Sequence, residues 1–226
     1  MKPMTERSYR GLLWGLALLG TLLDQVSKYS VFKWLYEPHQ LGDGRVVYDG
    51  EREVVPGAFR LLAQFSGRDD GPSGVLKSLR TCGGSVLPKV NHGALFGLGG
   101  EYDTVAAVGG LHIGANGVFA VVSIAAALAI LYWSTRRATA RDFSLCAALG
   151  LILAGTLGNL YDRVVFNGVR DFLYFYWIEW PVFNAADCCL VCGAFLLLAQ
   201  AFWTRSAPSE SAVAEVGRSS QMANAG

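Results

Sequence analysis

Phe143–Arg163 reads FSLCAALGLILAGTLGNLYDR. No charge interrupts Phe143–Tyr161, and Asp162 and Arg163 close the stretch. A helix needs about 20 apolar residues to cross a bilayer, and an uncharged run of about 18 or more is a candidate. The stretch therefore predicts a membrane helix over 143–163 with its ionisable residues at one end.

Three further apolar runs surround it. Thr104–Thr135 is uncharged and predicts a helix within 105–133. Gly11–Leu23 predicts a first helix over 11–36, with Asp24 and Lys28 inside it. Cys188–Thr204, extended past Asp187 by Trp180–Phe183, predicts a fourth helix over 182–204. The fold expected is an all-α polytopic membrane protein with four transmembrane helices and a small extracytoplasmic β-containing subdomain. The composition agrees: 52% of the 226 residues are hydrophobic and 16% are charged, against about 25% charged in a soluble domain. A net charge of +1 makes no electrostatic case for nucleic acid as a partner. The five cysteines form no disulfide framework, and His39, His92 and His112 are too scattered for a metal site.

Basic residues orient the helices. Lys2, Arg7 and Arg10 precede the first, Arg136, Arg137 and Arg141 follow the second, and Arg205 follows the fourth. Cytoplasmic loops collect Lys and Arg, so both termini are expected in the cytoplasm. The long segment 37–103 and the aromatic loop 164–181 then lie outside. Within 37–103, Ser66–Leu87 is rich in Gly and Ser and reads as loop. Residues 1–205 form one expected membrane domain, and the small, polar 206–226 an expected disordered cytoplasmic tail.

Ionisable residues inside a membrane are costly and mark function by default. Here they gather at the expected outer ends of three helices. Asp24 and Lys28 are spaced i,i+4. Asn159, Asp162 and Arg163 end the third helix, and Asn184 and Asp187 begin the fourth. Asp24–Lys28 and Asp162–Arg163 read as ion pairs. Asp187 has no obvious cation, and Arg170, which adjoins Asp171, should point to the opposite face of an extended segment. Two carboxylates in one low-dielectric site share a proton. Such a pair suits either aspartic-protease chemistry or a small ion-coupled transporter using intramembrane carboxylates. Transport calls for polar residues throughout the bilayer. The second helix offers only His112, Asn116 and Ser123, so the one-sided cluster favours an enzyme.

Four motifs occur in order: Asp24-Gln25-x-x-Lys28; Asn91-His92-Gly93-Ala94-Leu95-Phe96-Gly97; Gly158-Asn159-Leu160-x-Asp162-Arg163 with Gly168-Val169-Arg170-Asp171-Phe172; and Phe183-Asn184-x-Ala186-Asp187. With them the chain resembles the bacterial lipoprotein signal peptidase (signal peptidase II) family across most of residues 11–204. The resemblance implies an aspartic endopeptidase of the cytoplasmic membrane that cuts prolipoproteins before a diacylglyceryl-modified cysteine. It implies no metal or organic cofactor, membrane lipids as neighbours, and a monomer with its site near the outer face. By motif, Asp171 and Asp187 would be catalytic. Asn159, Asp162, Arg163 and Asn184 would line the site, Asn91 and Gly93 would cover the substrate, and Asp24 and Lys28 would lend support. His92, Leu95 and Arg170 depart from the residues usual in that family (Thr, Ala and an aliphatic residue), and 66–87 looks like an insertion.

Overall fold

The computed structural model describes residues 7–68, 75–82, 84–93, 104–108 and 111–205. Its helices are α1 (Arg10–Trp34), α2 (Val75–Arg80), α3 (Ala115–Ser134), α4 (Arg137–Arg141), α5 (Phe143–Phe166) and α6 (Ala185–Arg205). Its strands are β1 (His39–Gln40), β2 (Val46–Val47), β3 (Gly50–Val55), β4 (Phe59–Ala63), β5 (Phe65–Arg68), β6 (Val86–Pro88), β7 (Thr104–Val108), β8 (Leu111–Gly114) and β9 (Leu173–Phe175).

The apolar stretch that opens the sequence argument is α5, and it is the central post. It packs on α1, α3 and α6. Leu13 and Ala17 of α1, Ala127 and Ile130 of α3, and Leu149 and Leu153 of α5 form one buried cluster. Close approach depends on small residues: a Cβ at Gly158 of α5 would stand 2.5 Å from the Asp24 carboxylate of α1. The outward faces are apolar as well, with Leu18, Leu22, Val121, Leu128, Phe195 and Leu198 all exposed. So wide an apolar surface is not tolerated on a monomer in water. Helices α3 and α5, and Ala185–Phe202 of α6, are long and apolar enough to cross a bilayer. Helix α1 falls short of that measure because Asp24, Gln25 and Lys28 interrupt its apolar run.

Small antiparallel sheets gather at one end of the bundle. Strands β3, β4 and β9 form one, with Phe59 opposite Phe175 and Leu61 opposite Leu173. Beneath them Phe32, Leu35, Ala63, Cys82 and Phe172 make a second core. The described residues thus hold four long helices and nine strands, so the chain is not purely α.

Several boundaries differ from the sequence reading. Within the run expected to hold the second helix, α3 starts at Ala115, and Thr104–Gly114 forms the hairpin β7–β8. That run is long enough for both, and Val105, Val108, Ile113 and Gly114 favour strand or turn over helix. Helix α5 continues to Phe166 and stops at Asn167, whose φ of 57° is left-handed. The segment expected as loop over 66–87 is bounded by a strand pair, Phe65 opposite Pro88 and Arg68 opposite Val86, and contains α2. The expected tail 206–226 lies outside the described residues, as do Ala94–Gly97 of the second motif.

Candidate active site

The residues that precede α6 form its cap. Asn184 Oδ1 accepts from the Asp187 backbone N–H at 3.1 Å, and the Asp187 carboxylate accepts from the Asn184 N–H at 3.1 Å. This is the reciprocal box that satisfies orphan donors at a helix start. It fixes Asp187 at the first turn of α6. Its other oxygen accepts from Asn159 Nδ2 at 2.9 Å.

Asp171 arrives from the segment between α5 and β9. That segment is held on both sides. Asn91 and Val169 exchange backbone bonds of 2.8 and 2.9 Å, and Phe172 N–H donates to the Phe183 carbonyl at 3.0 Å. Asp171 Oδ1 accepts from Asn184 Nδ2 at 2.7 Å, and Oδ2 from Asn91 Nδ2 at 3.1 Å. One asparagine, Asn184, therefore holds both carboxyl-bearing residues. Burial, reinforced by the charge of Asp187, pushes the Asp171 carboxyl up to about 7. Asp171 and Asn91 border a cavity of about 270 Å³ with Leu62, Gln64, Val90 and Pro181.

The other two acids meet cations. Lys28 Nζ lies 2.8 Å from Asp24 and 3.4 Å from Asp162, and all three side chains are wholly buried. Arg170 Nη2 lies 2.8 Å from Asp162. Asp24 also accepts from the Ala186 N–H of α6 at 2.9 Å. Lys28 further donates to Asn159 Oδ1 at 3.2 Å, which ties this network to the Asp187 side. Two buried acids and two buried bases balance, as buried charges must.

The structure thus brings together Asp171, Asp187, Asn91, Asn159 and Asn184, with Asp24, Lys28 and Asp162 packed behind them. Gly93 lies nearby with a φ of 86°, and a Cβ there would strike the Phe119 ring at 2.5 Å. One expectation fails: Asp162 does not pair with its neighbour Arg163. Adjacent residues on a helix point about 100° apart, so they do not face each other. Arg163 instead donates to Asn116 Oδ1 at 3.2 Å and lies over the Phe119 ring at 4.8 Å. Sequence reasoning passed over Gln25, which bonds Asp24, Asp162 and the Gly158 carbonyl. Its signal was its place inside the first motif. His92 Nδ1 bonds the Asn167 carbonyl at 2.7 Å, and this holds its ring on the end of α5. Among the described residues, no three His, Cys, Asp or Glu side chains gather to hold a metal ion.

Apolar helices around a buried charged network, with two amide-held carboxylates at one end, define a helical membrane protein built around a polar site. Residues 85–203 match the family model described as "Signal peptidase (SPase) II". The chain belongs to the signal peptidase II family and is a membrane-embedded bacterial peptidase. It is 32% identical to the lipoprotein signal peptidase of Rhodopirellula baltica over 212 residues, covering 87% of this chain and 74% of that one. It is also 32% identical to that of Ralstonia nicotianae over 186 residues, covering 81% and 80%. Its fold is similar to that of a bacterial membrane enzyme solved by the in meso method, with a TM-score of 0.61 at 20% identity, over 92% of this chain and 98% of that one.

Proposed function

We propose that this chain is an aspartic endopeptidase that removes signal peptides from prolipoproteins, cutting before a diacylglyceryl-modified cysteine, with Asp171 and Asp187 as its catalytic pair. One observation carries the assignment. Of the four acids gathered here, Asp24 and Asp162 are neutralised by Lys28 and Arg170, whereas Asp171 and Asp187 accept hydrogen bonds from amides. Only the second pair can exchange a proton without stranding a buried cation.

The chemistry follows. Asp171, the carboxyl pushed up by burial, holds the shared proton and polarises the scissile carbonyl. Asp187, ionised, takes a proton from water as its oxygen attacks the carbonyl carbon. Collapse of the tetrahedral adduct breaks the C–N bond, and a carboxyl proton passes to the leaving nitrogen, releasing signal peptide and mature N-terminus. Asn159 and Asn184 hold the pair in register, and Arg163 faces the same site from α5.

The topology suits that substrate. In this reading α1 also spans the bilayer as a fourth helix, its charged face turned inward to α5 and α6. Residues 1–205 form the membrane domain, both termini are cytoplasmic, 206–226 is a tail, and the site lies near the outer face. The acyl chains of the substrate remain in lipid beside the apolar helices while the scissile bond sits at headgroup level. The test is cleavage of a synthetic diacylated prolipoprotein by the purified protein in detergent. Asp171→Asn and Asp187→Asn should each lower turnover by more than about a hundredfold while the protein elutes as wild type. Near-normal turnover by either variant removes that residue from the pair.

A further inference from the structure

Arg170 heads the wholly buried side chains by size. It stands immediately before Asp171, and the chemistry above gives it no part. Its guanidinium carbon lies over the rings of Tyr29 and Phe166, 4.2 and 3.9 Å from their centroids, and the two rings tilt toward each other at 57°. Three bonds then clamp the residue to one carboxylate. The backbone N–H and Nε donate to Asp162 Oδ2 at 2.9 and 3.1 Å, and Nη2 donates to Oδ1 at 2.8 Å. Nη2 also reaches Gln25 Oε1 at 2.9 Å. A planar guanidinium makes this fork and this stack together, which a lysine ammonium cannot.

The remaining nitrogen, Nη1, donates to Cys82 Sγ at 3.4 Å. Cys82 belongs to the segment between β5 and β6 and is buried in the same core as Phe172. Its φ of 52° is left-handed, a region that non-glycine residues seldom occupy. The chain holds a side chain in that conformation although glycine follows directly. The thiol contact with Arg170 is what glycine could not supply.

We propose that Arg170 is a positioning residue for Asp171, and that Cys82 is the brace by which the segment over 66–87 supports it. The inference rests on the reading of Asp171 as a member of the catalytic pair. Clamping both the backbone and the side chain of residue 170 to Asp162 fixes the origin of the next residue. The Asp171 carboxyl is then delivered to Asn184 and the scissile bond without a search over backbone conformations, and errors of about 1 Å in such placement cost about a hundredfold in rate. A positioning role acts on turnover and not on substrate binding.

The experiment measures kcat and KM for a synthetic diacylated prolipopeptide with Arg170→Gln, Arg170→Lys, Cys82→Ala and the double variant Arg170→Gln/Cys82→Ala. Elution and thermal unfolding are recorded for each. Arg170→Gln should lower kcat about tenfold or more with KM within about twofold, and Arg170→Lys should recover part of that loss. Cys82→Ala should lower kcat about threefold. In the double variant it should add nothing to Arg170→Gln, because residues acting through one contact are not additive. Wild-type kcat in Arg170→Gln, or a loss expressed wholly in KM, overturns the role of Arg170. Additive effects overturn the brace. If Arg170→Gln fails to fold, wild-type kcat in both Arg170→Lys and Cys82→Ala overturns the proposal. Asp171→Asn is the control: if it cleaves normally, the catalytic reading has failed, whereas an inactive Asp171→Asn beside unaffected Arg170 variants refutes the positioning role alone.

Discussion

At the scale of single residues, partner type separates the acids. Asp171 and Asp187 were legible as the odd pair because each lacked a cation of its own in the sequence. The partner of Asp162 was not legible. Adjacency in sequence suggested Arg163, but the helix turns that side chain toward Asn116, and the real partner, Arg170, follows the left-handed break at Asn167. Removing that carboxylate therefore strands the buried Arg170 and leaves Lys28 with Asp24 alone. Asp162→Ala should cost about 3–5 kcal/mol, seen as a lower unfolding temperature and poor membrane yield. A stable, well-folded variant that is merely slow would move Asp162 into the chemistry. The pH dependence follows from Asp171. Its carboxyl is raised to about 7, so the shared proton is lost, and turnover falls, as pH rises through that value. The Asn91 bond favours the ionised form of Asp171, so Asn91→Ala should move the alkaline limb of kcat upward. A limb that stays in place or moves down contradicts the assignment.

At the scale of elements, charge-free length located the helix bodies well and their ends poorly. An apolar run does not say where a helix should yield to a hairpin, so the helix could be placed only somewhere within 105–133. Composition misled over 66–87, where Gly and Ser suggested loop but the chain forms α2 and the β5–β6 pair. The shared face of Asn184 and Asp187 was legible from their i,i+3 spacing, but the helix was expected from 182 and begins at Ala185, because Asn184 and Asp187 form both its cap and half of the candidate site. Asn184→Ala separates those duties. The lost cap costs about 1 kcal/mol, a small shift in unfolding temperature. Turnover should fall at least about tenfold, because Asp171 and Asp187 lose their common anchor. Turnover that tracks the small stability loss and no more would confine Asn184 to capping.

At the scale of the whole molecule, membrane embedding was legible from composition, and orientation rests on the basic residues alone. Cysteine labelling tests it in a background without native cysteines that retains cleavage. A cysteine at Glu179 should react with an impermeant reagent added outside intact cells, and one at Arg137 only after the membrane is opened. The reverse pattern would invert the topology and put the site on the wrong side for an exported substrate. One contact joins the ends of the chain: the Asp24 carboxylate of α1 holds the Ala186 N–H of α6. If α1 spans the bilayer as proposed, it enters the membrane during synthesis with that carboxylate unsatisfied on this side until the last helix emerges. Until then Asp187 has no fixed place, so with the proposed catalytic pair the nascent protein would carry no working hydrolytic centre. Activity switches on with the final insertion event, and fragments made separately, one ending before α6 and one supplying it, should regain activity only when they meet in the same bilayer.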